Sequence, residues 1–193
     1  MVSLMRLGLG LGLAGAAGAR TYFPLIVMGL LTRFSETMGY RAPFKVFSSM
    51  PVLVLLVGMA VYEMAGERMA RFSETNQVLL AVSLRALGGA ILFAGTYSGF
   101  GILGGIIAGA VVAVSANLIM VRLRSNYGRN AGARSGVMYP AMEEAAAVGA
   151  TILALLLPWS SYIIWGGVLL ASVKKIRESG ARYGPDTKAK PWR

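Results

Sequence analysis

The chain has 193 residues, 56% hydrophobic and 14% charged, with a mean hydropathy of +0.63. That composition excludes an ordinary soluble domain and points to a helical protein housed in a membrane. Cysteine and histidine are both absent, which rules out disulfides, thiolate nucleophiles and the usual zinc, haem and copper ligands; only carboxylates could hold a hard cation, and no metal or other cofactor is expected. The net charge of +11 sits in short connections and a tail beside apolar runs, so nucleic acid is set aside as a partner and the basic residues are read as topology determinants.

Six apolar segments follow in chain order: about 4–31, 50–66, 77–97, 99–121, 137–157 and 159–173. The expectation is an all-α polytopic bundle, one integral membrane domain over 1–173 with a basic cytoplasmic tail over 174–193. The first segment contains "GAAGARTYFPLIVMGLL". Neither of its apolar flanks is long enough to span alone, so one broken helix is expected, with the break near Pro24 and Arg20 beside it. Half-helix ends present unpaired backbone groups, a device transporters use to hold ions or anions; a plain proline kink with Arg20 paired to a carboxylate is the equal alternative. The start superficially resembles a signal peptide, but apolar sequence resumes at Pro24 and it is kept as part of the mature chain.

"RFSET" follows at Arg33 to Thr37 and recurs at Arg71 to Thr75. The flanks share nothing further, so the copies are read as interfacial punctuation, each with Ser and Thr able to cap a helix starting just after. Glu63 and Glu67 end the second segment four residues apart, on one helix face. Arg85 lies well inside the third segment, where a lone guanidinium would be costly, and Glu63 is its expected partner. The fourth segment spaces Gly101, Gly105 and Gly109 four apart, a face for close helix packing within the chain or, less favoured, between chains. In the fifth, Pro140 suits the first turn of a helix and a second break is expected near it. Glu143 and Glu144 then lie near that helix's positive end and point about 100° apart, so at most one can face a given partner.

With the N-terminus placed in the cytoplasm, fourteen basic residues fall on that side against Arg33, Arg41 and Lys45 on the other. Both termini are therefore expected in the cytoplasm. The tail is expected to touch anionic lipid headgroups.

At three places the chain resembles a bacterial family of small polytopic membrane proteins, the domain of unknown function numbered 4126, over about residues 8–158. The matching residues are Gly15, Gly18, Arg20 and Pro24; then Glu63, Glu67, Glu74, Arg85 and Gly89; then Pro140, Glu143 and Glu144, with Tyr139 where the family carries Asn. The prolines usual after the second helix are missing, and the basic tail is additional. The resemblance implies a multi-helix protein of the bacterial inner membrane and supplies no substrate, cofactor or catalytic assignment.

Two functions from different classes are expected. In the first, Arg20, Glu63, Glu67, Arg85, Glu143 and Glu144 form an intramembrane polar site that moves or binds a small solute, ion or lipid headgroup. In the second, the chain is a non-catalytic structural or accessory subunit that binds partners within a membrane complex through its glycine faces and basic tail. An enzyme is the least favoured, because no nucleophile and base arrangement is evident.

Overall fold

A computed structural model describes residues 2–35, 39–69, 74–131, 135–168 and 170, and among these the regular structure is entirely helical. The elements are α1 (Val2–Ala19), α2 (Tyr22–Phe34), a short 3-10 helix (Phe44–Ser48), α3 (Met50–Met69), α4 (Glu74–Thr96), α5 (Gly101–Ala131), α6 (Ser135–Leu156) and α7 (158–168). The glycine-rich α1 is the central helix and packs against α4, α5 and α6. Its Leu9, Leu13 and Ala17 join Tyr22, Leu25 and Met28 of α2 and Leu92 of α4 in the buried core.

α4 and α5 form an antiparallel pair joined at 97–100. Gly101 opens α5 with φ +68°, a backbone region that glycine enters without the steric cost other residues bear. It therefore serves as the pivot of the turn, and nothing lies close enough for it to act as a packing surface. Gly105 and Gly109 do pack, and within the chain: a Cβ on Gly105 would lie 3.0 Å from the Cα of Ala94, and one on Gly89 would lie 2.6 Å from the carbonyl oxygen of Gly109. The two backbones touch where side chains would have held them apart.

The first segment departs from the expected single broken span. Helix breaks at Arg20 and Thr21, and Pro24 occupies the first turn of α2, where its missing N–H costs nothing. The direction of the chain then reverses. Gly10 of α1 lies against Phe93 and Thr96, and Gly18 lies against Ala113, so α1 runs antiparallel to α4. α2 runs the other way: Thr21 and Leu25 lie against Gly88, while Tyr40, tied by its N–H to the Thr32 hydroxyl at 2.8 Å, lies against Gly95. α1 and α2 are thus the arms of a hairpin whose apex, at Arg20, reaches only the middle of α4. Apolar length could not reveal this, because two half-length arms and one broken span read alike.

One consequence is that the start of α1 and the 39–49 connection share an end of the bundle. Tyr162 donates a hydrogen bond of 2.6 Å to the Leu4 carbonyl, and Arg6 lies close enough to Arg41 for their charges to repel. The same end is closed by the Arg41 N–H, which donates to the Gly95 carbonyl at 2.8 Å, and by the Arg41 guanidinium, which donates to Ser98 Oγ. Tyr40 is fully buried there, and burial pushes its phenol far above the usual tyrosine range.

Two further expectations are corrected. α6 starts at Ser135 and runs through Pro140 unbroken: at the sixth helical position the proline removes one backbone bond, the one to the Gly136 carbonyl, and the helix continues past it. The interruption falls instead at Leu157, the residue before Pro158, where the proline ring disfavours helical backbone. Arg33 and Phe34 of the first "RFSET" end α2, with Ser35 as its C-cap, while its Glu36 and Thr37 lie outside the described residues. In the second copy, residues 71–73 lie outside the described residues. So do the tail from Lys174 and the side chains of Glu67 and Pro140.

Large apolar side chains cover much of the outer surface: Val54, Leu55 and Val61 on α3, Leu103, Ile107 and Val111 on α5, Leu153 and Leu156 on α6, and Ile163 on α7. Among the described residues one helix stretch, Gly101–Leu123, is long and apolar enough to cross a membrane; Ser3–Ala19, Tyr22–Phe34, Met50–Ala65 and Leu80–Thr96 are shorter apolar helices.

Candidate functional site

Five of the six polar residues singled out in the sequence have described side chains, and those five lie in one layer at the depth of the hairpin apex. Arg20 stands at the apex, Glu63 comes from α3, Arg85 from α4, and Glu143 and Glu144 from α6. Glu67 lies in α3, one turn beyond Glu63. The layer divides into two halves.

The first half gathers around Arg20. Its guanidinium lies 3.6 Å from the Glu63 carboxylate and 3.9 Å from that of Glu144. These are Coulomb contacts, longer than the 2.7–2.9 Å of a charge-assisted hydrogen bond. The Arg20 side chain is 7% exposed, against 24% for Glu63 and 42% for Glu144. The difference reflects a cavity of about 270 Å³ onto which all three open. Tyr22, Phe23 and Ile26 of α2, Ala60 and Met64 of α3, and Ala147 and Val148 of α6 supply the rest of its wall, which is mainly apolar.

The second half is closed. Arg85 lies 3.6 Å from Glu143 and donates a hydrogen bond to the side-chain oxygen of Asn117 on α5. All three are buried, with Asn117 2% exposed. Glu63 was the expected partner of Arg85; it is found on Arg20 instead, and Glu143 takes the Arg85 position. Helical periodicity specifies which face a residue is on but not which neighbour that face meets. The divergence of Glu143 and Glu144 follows from their spacing, and each carboxylate serves a different arginine.

Asn117 escaped the sequence reading. Its signal was a strongly polar amide in the apolar run "VVAVSANLIM", at a depth where such a group needs a partner. The buried hydroxyls of Thr96 and Thr151 donate to carbonyls one helical turn back, at 2.7 Å in each case, and so satisfy themselves without joining the site. Among the described residues no group of three or more acidic side chains is arranged to hold a metal ion.

The model of the family described as "Domain of unknown function (DUF4126)" matches residues 7–178. The chain belongs to that family. The match extends twenty residues beyond the resemblance drawn from the sequence, into the first residues of the basic tail. No curated protein and no solved structure matches the chain.

Proposed function

For this member of the family, we propose a polytopic protein of the bacterial inner membrane that binds, and on that basis moves, a small solute, ion or lipid headgroup at the Arg20–Glu63–Glu144 cavity. The observation that carries the reading is the cavity itself: one buried guanidinium and two partly exposed carboxylates line it at mid-depth of the bundle, at the apex of an interrupted helix pair.

Support for the bilayer comes from the outward apolar faces of α3, α5, α6 and α7, which would be an aggregation hazard in water, and from the membrane-length apolar stretch in α5. In this arrangement α3, α4, α5, α6 and the last apolar segment, which begins with α7, cross the bilayer, while α1 with α2 dips to its middle and returns. Irregular backbone at that depth is tolerated because protein surrounds it. The N-terminus then lies opposite the Arg122 end of α5. Moving Arg6 across changes the basic split from fourteen against three to thirteen against four, which still assigns the Arg122 end to the cytoplasm.

The accessory-subunit reading requires glycine faces open to other chains and charges closed on one another. The glycines at 18, 89, 105 and 109 are occupied by contacts within this chain. Only the Arg85–Glu143–Asn117 half is closed, as that reading would require. Native mass spectrometry of protein released from its membrane tests the choice. A small molecule or lipid bound one per chain, and lost in Arg20→Gln, is expected. A partner polypeptide bound in its place, with no such ligand, would favour the accessory subunit.

A further inference from the structure

Resting on the binding reading above, we propose that the ligand of the Arg20–Glu63–Glu144 cavity is a lipid of the bilayer, an acyl-chain amphiphile that enters sideways between α3 and α6 and leaves its chain in the slot between them. Three observations converge on this class, and none depends on how the charges are paired.

The first is the polarity of the cavity along its length. Leu53 lies against Gly29 and Glu63 reaches Arg20, so α3 runs from the Tyr40 end of the bundle toward the hairpin apex. Ala154 lies against Gly12 and Glu144 reaches Arg20, so α6 runs the other way, as α2 does. One helical turn toward the Tyr40 end therefore leads from Glu63 to Ala60 on α3, from Glu144 to Ala147 and Val148 on α6, and from Tyr22 to Ile26 on α2. The cavity is charged at its apex end and apolar at the other. A small ion or polar solute would use only the first end; an amphiphile uses both.

The second is the position of the mouth. The α2 side chains form the back wall, and Tyr22 is buried, whereas Met64 of α3 and the side chain of Glu144 on α6 are each 42% exposed. Among the described residues α3 and α6 do not touch, so the mouth is a slot between them. Val57 and Val61 on α3 and Leu153 and Leu156 on α6 are exposed, which places the slot in the apolar surface that faces hydrocarbon in the bilayer arrangement. The way out toward Tyr40 is blocked, because Leu53 and the Phe47 carbonyl pack on Gly29, and Leu53 and Leu56 are buried.

The third is size. At about 270 Å³ the cavity falls at the lower edge of the roughly 300–1,000 Å³ of small-molecule sites. It holds a head and the start of a chain, and the slot gives the rest of the chain a path into the bilayer.

The test is photolabelling of the full chain in vesicles of phosphatidylethanolamine and phosphatidylglycerol, a small fraction of each carrying a diazirine near the head end of one acyl chain. Free photo-leucine in the buffer is the water-soluble counterpart, and labelled residues are located by mass spectrometry. Lipid label is expected on Phe23 and Ile26 of the back wall as well as on Leu103 and Val111 of the outer face of α5. Ala60→Trp fills the cavity with every charge intact and should abolish the back-wall label while leaving Leu103 and Val111 labelled, which shows that the bundle persists. Val148→Trp fills it from the opposite wall and should do the same, so the result does not hang on one variant folding. Back-wall label from the lipid that survives in both filled variants would overturn the proposed route. Lipid label confined to the outer faces, with photo-leucine on Phe23 or Ile26, would overturn the ligand class while leaving the binding site in place. A back wall that neither probe reaches would overturn both.

Discussion

The two halves of the polar layer use the same chemistry and differ in what surrounds it. Around Arg85 the guanidinium, the Glu143 carboxylate and the Asn117 amide close on one another away from solvent. Around Arg20 the carboxylates spread to the edge of a cavity. Enclosure makes the first half costly to disturb and leaves little room for a ligand. Exposure makes the second half a weaker contributor to stability and the better place for binding. An arginine–glutamate pair deep in a helical bundle is therefore not by itself a functional signal; the space beside it decides.

The largest effect expected from this contrast is at Arg85. Arg85→Met leaves Glu143 buried beside Asn117 without its cation and should cost roughly 3–5 kcal/mol, read as a lower midpoint of thermal or chemical unfolding in detergent. The double variant Arg85→Met/Glu143→Leu should regain most of that loss, since replacing a whole buried pair by apolar groups is close to neutral. A single variant as stable as the parent would break the comparison.

Next in size is Gly109→Leu. It drives a side chain into the Gly89 backbone, which cannot yield as a flexible side chain can, and should cost about 1–3 kcal/mol by the same measurement. Glu144→Gln should be milder, below about 1 kcal/mol, because the partly exposed pair with Arg20 is screened by solvent; its consequence should appear in ligand binding. A loss as large as that at Arg85 would mean that both halves are closed. Smallest is Gly149→Ala on α6, where a Cβ meets nothing within 4 Å: a change within about 1 kcal/mol, favouring the alanine, sets the baseline for the others.

How much of this was legible in the sequence follows from what each residue signals by itself. Buried arginines and the opposed directions of Glu143 and Glu144 are local facts of composition and helical period, and they were readable. The reversal at Arg20 was not, because it is fixed by contacts between residues far apart, such as Gly10 with Phe93 and Leu25 with Gly88. Those contacts also decide that Glu63 meets Arg20 rather than Arg85. Pro140 was misread as a break because proline signals a lost donor without saying whether the surrounding helix continues past it, as α6 does with that one bond missing. Gly101 shares the spacing of Gly105 and Gly109, and only its positive φ separates a turn residue from a packing residue.

Because the chain contains no cysteine, a single introduced thiol reports on one place alone. The most direct test compares modification of Val148→Cys, on the cavity wall, with Ala113→Cys, one helical turn from Asn117 on α5, by small positively charged and negatively charged thiosulfonate reagents. The account predicts that Val148→Cys reacts with these reagents and that Ala113→Cys stays unmodified in the folded protein. Equal reactivity at the two positions, or a Val148→Cys thiol that no reagent reaches, would contradict the division of the layer into an open and a closed half.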